Sequence, residues 1–301
     1  MKKSIIILFS LIFIIAILGE FYLRYFQGFC ATSLYIESEK YEYIAAPNQD
    51  GKRFGNHFHY NSFSQRSEEP DSTKIIILGL GDSVLFGGLQ SDQNSIATSI
   101  FTNEEKKYQM LNISSGSWGP DNCAAYLKEK GFFNAKKMFL VVSSHDAYDN
   151  MNFSPVVGVH KSYPNRQYTL AWAEIIDRYL KPKVLNYFIH KNDLDPDQKV
   201  LNGIEIHKNG KILNSGFDEL KSMSDSLSIP LIVYLHADKL EFMKKKYNGQ
   251  GQEIINWAEK NNVKLIKELD YIFDKTDYRD GIHLSNKGQR KLANIMKENI
   301  N

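Results

Sequence analysis

Four short blocks of this chain carry residues whose types could do chemistry together. Gly81-Asp82-Ser83 places a hydroxyl directly after a short apolar run, Lys74 to Leu80, at a strand-to-helix junction. A hydroxyl there is exposed beside unpaired backbone N–H groups, which favour a developing oxyanion. Taken singly, the same serine reads equally well as a helix N-cap. Asn112-Ile113-Ser114-Ser115-Gly116-Ser117-Trp118-Gly119 follows a second apolar run. A glycine at that point lets the backbone bring an N–H close to a ligand, although alone it is an ordinary turn. Ser143-Ser144-His145-Asp146-Ala147-Tyr148-Asp149-Asn150 follows a third run. Polar groups placed so are costly unless partnered or functional. A metal on His145, Asp146 and Asp149 is conceivable, but their spacing matches no familiar zinc pattern and no cysteine lies near. The fourth block, Asp280-Gly281-Ile282-His283, sets a carboxylate three residues before an imidazole. The aspartate can orient the ring, and the ring can take a proton from a serine hydroxyl. Ser285 or Asn286 then caps the last helix.

The elements between these blocks must position them. Short continuous apolar runs at Lys74–Leu80, Gln109–Ile113, Met138–Val142, Pro230–Leu235 and Val263–Ile266 read as strands buried on both faces. Helical stretches at Cys123–Gly131, Gln250–Asn261 and Lys287–Glu298 alternate with them, which predicts a parallel sheet with helices on both sides. In such sheets ligands bind beyond the carboxyl ends of the strands, where the first three blocks fall. Residues 31–72 read as a lead-in with one or two short strands, and 73–301 as the main domain. An insertion covers about 152–215, with a hairpin expected at Gly203–Asn214 on the tight-turn pair Asn209-Gly210.

Composition and the N-terminus narrow the setting. With 37 Lys+Arg against 35 Asp+Glu the net charge is +2, which argues against nucleic acid as a partner. Two cysteines, Cys30 and Cys123, do not make a disulfide scaffold, and neither is assigned a role. Lys2 and Lys3 precede an almost unbroken apolar run from Ile5 to Leu18, followed by Phe21, Tyr22 and Tyr25. No small-x-small cleavage site follows, and the aromatics suit a membrane interface. Residues 1–30 are therefore expected to form a single signal anchor. The positive end would lie in the cytoplasm and the body outside it, in the periplasm or at the cell surface.

In their order and spacing the four blocks together resemble the SGNH/GDSL hydrolase family, from about Ile75 to the C-terminus. The resemblance implies a flavodoxin-like three-layer α/β/α fold with a mainly parallel five-stranded sheet, here preceded by an N-terminal transmembrane helix. It implies Ser83 as nucleophile, with His283 and Asp280 completing the catalytic set. Oxyanion donors would be the N–H of Ser83, the N–H of Gly116 (Gly119 is the alternative), and a side chain of the third block. That block usually reads Gly-x-Asn-Asp in the family and here reads Ser143-Ser144-His145-Asp146, so His145 stands at the asparagine position. A neutral imidazole can donate in place of the amide, and Asn150 is an alternative donor. No metal or organic cofactor is implied. The expected activity is hydrolysis of an ester, an O-acetyl group on an envelope or extracellular carbohydrate, through an acyl-enzyme on Ser83. Two other readings stand beside it: a partner-dependent polysaccharide O-acyltransferase, and a non-catalytic glycan-binding envelope protein on the same scaffold.

Overall fold

The computed structural model describes residues 2–184, 206, 208 and 210–300. The chain opens with one continuous helix, α1 (Lys2–Tyr25), long and apolar enough to cross a membrane, with most of its side chains exposed. Two antiparallel hairpins follow: β1 (Tyr35–Ser38) with β2 (Glu42–Ala45), and β3 (Gln49–Arg53) with β4 (Asn56–Tyr60). The main body then runs β5 (Ile75–Gly81), α2 (Ser83–Phe86), α3 (Ala97–Glu104), β6 (Tyr108–Ser114), α4 (Pro120–Lys130) and β7 (Lys137–Ser143). Beyond a long connection holding α5 (Ala171–Ile175), it continues with α6 (Gly216–Leu227), β8 (Leu231–His236) and α7 (Lys239–Lys244). It closes with α8 (Gly249–Lys260), β9 (Lys264–Lys267) and α9 (Asn286–Ile300).

The five expected strands form one parallel sheet in the order β6-β5-β7-β8-β9. This is the flavodoxin-like order, whose crevice lies beyond the first and third strands, here β5 and β7. Side chains on a strand alternate faces, and the alternation is clean. Ile76, Leu78 and Leu80 of β5, with Leu140 and Val142 of β7 and Val233 and Leu235 of β8, enter one apolar layer with residues of α4, α6 and α8. Ile77, Phe139, Val141, Ile232 and Tyr234 enter the other, against Ile100 and Phe101 of α3 and Leu292 and Met296 of α9. A one-residue slip in any of these strands would move its large residues to the wrong layer, so burial fixes the register.

The lead-in departs from expectation: it holds four strands, not one or two, and it belongs to the core. Its second hairpin turns on Phe54 and Gly55, both at positive φ, a two-residue turn that normally carries Asn-Gly or Asp-Gly. A phenylalanine rarely adopts that conformation, so the turn gives no sequence signal. Tyr41, Tyr43, Ile44, Phe58 and Tyr60 are buried in the same apolar layer as the sheet. The hairpin expected at Gly203–Asn214 lies largely outside the described residues. Cys30 and Cys123 are both free thiols, the second of them buried.

Tyr43 is 1% exposed, and its ring packs edge-on against Tyr163 while its hydroxyl donates to the Gly116 carbonyl at 2.9 Å. Tyr43→Ala should cost about 3–5 kcal/mol in urea unfolding. Ile36→Ala, one strand away but half exposed, should stay within about 0.5 kcal/mol.

Candidate active site

Helix α2 begins on Asp82, whose backbone is extended and whose carboxylate accepts from the Val84 N–H at 2.8 Å. Asp82 is therefore the N-cap, and Ser83, the first helical residue, keeps its hydroxyl for another partner. That partner comes from the far end of the chain. His283 Nε2 lies 3.0 Å from Ser83 Oγ, across a separation of 200 residues. His283 Nδ1 lies 2.8 and 3.1 Å from the two carboxylate oxygens of Asp280. Asp280 Oδ1 also accepts from the backbone N–H groups of Ile282 and His283, at 3.0 and 2.8 Å. Burial pushes the Asp280 carboxyl up, but those two N–H groups and the imidazole outweigh it and hold the carboxyl below its ordinary range.

The loop bearing Asp280 and His283 is braced from below. His236, at the carboxyl end of β8, places Nε2 2.7 Å from the Ile282 carbonyl and Nδ1 2.5 Å from Glu268. Glu268 in turn accepts from Tyr234 at 2.7 Å and from Tyr278 at 2.5 Å. Burial pulls the His236 pKa down, and the Glu268 carboxylate more than restores it, leaving it raised. A second brace is Gln289 of α9, wholly buried, which accepts from Ala97 N at 2.9 Å and donates to the Val84 carbonyl at 2.9 Å. Neither His236 nor Gln289 was singled out from the sequence. His236 carried the same signal as His145, an imidazole directly after a buried apolar strand.

The two glycines of the second block differ in what their N–H groups do. The Gly119 N–H donates to Asn122 Oδ1 at 2.8 Å and so is spent on capping α4. The Gly116 N–H has no acceptor among the described residues, and Gly116 lines the same cavity as Ser83. Any Cβ on Gly116 would meet the Tyr163 hydroxyl at 2.5 Å, which explains why this position holds glycine. The loop is held in place by Tyr43, on the Gly116 carbonyl, and by Trp118, whose indole donates to the Tyr43 carbonyl at 2.9 Å.

In the third block, His145 lines the cavity and Asn150 does not. The Asn150 amide instead reaches the carbonyls of Tyr148 and Ile212, at 3.3 and 3.4 Å, so the alternative donor is turned away. His145 Nε2 stands 4.0 Å from Asp82, 3.7 Å from Asp146 and 3.7 Å from Asp149. Asp82, His145 and Asp146 could offer ligand atoms to a cation within 4.8 Å of one another. Asp146 is buried between Asp82 and Asp149, and desolvation followed by their charges drives its carboxyl well above the ordinary range. Burial likewise pushes the Asp149 carboxyl up to about 6.

One cavity of about 750 Å³ joins the four blocks. Ser83, Gly116, His145, Asp280 and His283 share its wall with Tyr163, Arg178 and Tyr179 from the connection after β7. Part of the insertion expected at 152–215 thus walls the cavity.

No family model matches this chain, and no curated protein matches it by sequence. Solved structures do resemble it. A member of the lipolytic G-D-S-L family from Veillonella parvula is 11% identical over 75% of this chain and 97% of its own, with a TM-score of 0.39. A psychrotrophic esterase from Pseudoalteromonas sp. is 12% identical over 75% and 97%, with a TM-score of 0.41. A carbohydrate acetylesterase from Sinorhizobium meliloti is 13% identical over 75% and 98%, with a TM-score of 0.38.

The Asp149 carboxyl titrates near 6 folded and near 3.9 unfolded, so the native state binds the extra proton between those values. Its contribution to stability therefore falls as pH rises from about 4 to 6. Asp149→Asn should be more stable than wild type by about 2 kcal/mol at pH 7.5. The gain should vanish near pH 4 when urea unfolding is repeated there.

Proposed function

We propose that this chain is a serine esterase of the SGNH/GDSL type, held to a membrane by α1, with Ser83 as its nucleophile. The observation that carries the reading is the continuous chain from Ser83 Oγ through both nitrogens of His283 to Asp280, at 3.0 and 2.8 Å. A helix cap needs only Asp82, which leaves this hydroxyl without a structural duty.

The chemistry follows from that geometry. As Ser83 Oγ bonds to the ester carbonyl carbon, its proton passes to His283 Nε2, and Asp280 stabilises the imidazolium that forms. The carbonyl oxygen becomes an oxyanion facing the N–H groups of Ser83 and Gly116. His145, which lines the same cavity, is the third donor. Collapse of the adduct breaks the bond to the leaving alcohol, which takes the proton back from Nε2. Water then repeats the cycle and frees the acid. A sugar hydroxyl in place of that water would make the same acyl-enzyme a transferase.

The cavity supports a polar, acylated substrate. The ring of Tyr179 offers a stacking face, and Arg279 offers donors to ring hydroxyls or carboxylates. An O-acetylated carbohydrate matches that lining better than a long acyl chain, which would need a wholly apolar channel. A body outside the cytoplasm fits the Lys2-Lys3 start of α1.

The test is hydrolysis of p-nitrophenyl acetate, then of acetylated glycans, alongside fluorophosphonate labelling. Ser83→Ala should lose labelling and at least ~10³-fold in turnover with an unchanged melting temperature. His145→Ala should keep the label and lose on the order of 10–10³ in kcat. Wild type that is folded yet neither labels nor turns over ester would refute the reading and favour a glycan-binding role.

A further inference from the structure

A helix on the surface of a soluble domain turns its charged face to water and its apolar face inward. The helix that runs from Ala171 through a wide turn, Ile176–Leu180, and on to residue 184 does the reverse. Its inner face carries Glu174 and Arg178, both buried. Glu174 Oε1 accepts from Arg178 at 2.6 Å and from the buried Arg53 at 2.7 Å, so this charge is satisfied inside. Its outer face carries Trp172, Ile176, Leu180 and Val184, four apart in sequence and 41%, 56%, 49% and 55% exposed. Leu170, at the same end, is 55% exposed.

This outer stripe is continuous with α1. The Trp172 indole N–H donates to the Ala16 carbonyl at 2.9 Å, and its ring lies so close to Gly19 that a Cβ there would meet it at 2.4 Å. Glu20 accepts from the Ala171 and Trp172 N–H groups at 2.8 and 3.2 Å, and Arg24 donates to the Thr169 carbonyl. The contact thus spans residues 16–24, where the apolar run gives way to Glu20, Arg24 and the aromatic residues Phe21, Tyr22 and Tyr25. A membrane-spanning helix passes from hydrocarbon to headgroups at such a junction, and tryptophan concentrates at that depth. Lys181 and Lys183, exposed beside the stripe, are placed to reach headgroup phosphates while their stems stay on the apolar side.

We propose that the outward face of this helix lies in the lipid interface of the leaflet that α1 enters, seating the Ser83 cavity at the membrane surface. The occupant of the stripe is lipid. Arg178 and Tyr179 of the same helix line the cavity, so about one helix diameter, roughly 10 Å, separates the bilayer from that wall of it. The substrate class that follows is an ester presented at the bilayer surface, in preference to a freely diffusing one. This second statement rests on the esterase reading, whereas the seating of the helix does not.

The experiment uses the full chain in phosphatidylcholine–phosphatidylglycerol vesicles carrying shallow doxyl-labelled lipid. Trp118 and Trp257 are 0% and 6% exposed, so a lipid-borne quencher reads Trp172. We expect quenching of part of the emission, lost in Trp172→Phe and reduced in the double variant Ile176→Ser, Leu180→Ser. The double variant should also hydrolyse a vesicle-embedded acetyl ester severalfold more slowly while p-nitrophenyl acetate turnover is unchanged. Wild-type emission that ignores the quencher overturns the proposal, as does a chain that does not float with the vesicles or a stripe covered by a co-purifying protein. Quenching without any ester turnover in wild type would leave the membrane seat standing and remove the catalytic reading alone.

Discussion

A serine hydroxyl and an imidazole 200 residues apart meet at 3.0 Å because both hang from the ends of one parallel sheet. Neither loop could hold that distance alone. Ser83 is placed by β5 and by the cap on Asp82. His283 is placed through β8, because His236 at the end of that strand grips the Ile282 carbonyl beside it. The register of β5 to β7 and of β7 to β8 therefore transmits to the Ser83–His283 pair. Burial on both faces fixes that register, so apolar packing of the sheet and geometry of the site are one constraint. Gln289 closes the circuit on the other layer by joining α9 to the carbonyl of Val84 in the nucleophile helix.

Charge is used inside the molecule to hold loops. Glu42, from the lead-in, accepts from the Asn152 and Phe153 N–H groups at 2.9 and 3.0 Å and pairs with Lys208 at 2.5 Å. Asp121 accepts from Met151 N at 2.6 Å. The segment following His145 is thus fastened through its backbone by carboxylates from distant parts of the chain. Buried pairs of this kind add little net stability, since desolvation offsets most of their attraction. Their effect is to select one arrangement of loops that have few apolar contacts. The carboxylates around His145 differ: Asp146 Oδ1 has no hydrogen-bond partner among the described residues, and burial beside Asp82 and Asp149 favours its neutral form.

The parallel strands were legible because a strand buried on both faces needs a continuous apolar run, and five such runs stand between charged or glycine boundaries. Ser83, His283 and Asp280 drew notice because each follows the end of an element, and the structure brings the three side chains together. What stayed hidden depends on contacts across long separations. The lead-in was read as irregular, yet its tyrosines fill the core, since Tyr and polar residues at strand spacing give no clear periodicity. The difference between Gly116 and Gly119 rests on one hydrogen bond to Asn122. Asn150 kept the right chemistry in sequence but spends its amide on carbonyls of the loop it shares with Ile212.

The inverted helix that begins with α5 illustrates how the same contact patterns can carry a second meaning. Exposed apolar residues scattered singly are ordinary, but a stripe at four-residue spacing over a buried ion pair is not. Arg53, from the lead-in, and Glu174 and Arg178, from the insertion, join the two segments that the main domain does not explain. Both segments abut the end of α1: Cys30 donates its N–H to Glu174 at 2.7 Å, directly below the helix. The parts of the chain added to the sheet domain thus converge on the anchor and on one wall of the cavity. On the proposed reading, an esterase tethered in this way would meet a membrane-borne substrate at an effective concentration set by its tether rather than by bulk diffusion. A modest intrinsic affinity for such an ester would then suffice, in keeping with a cavity walled by loops and one helix instead of a deep apolar channel.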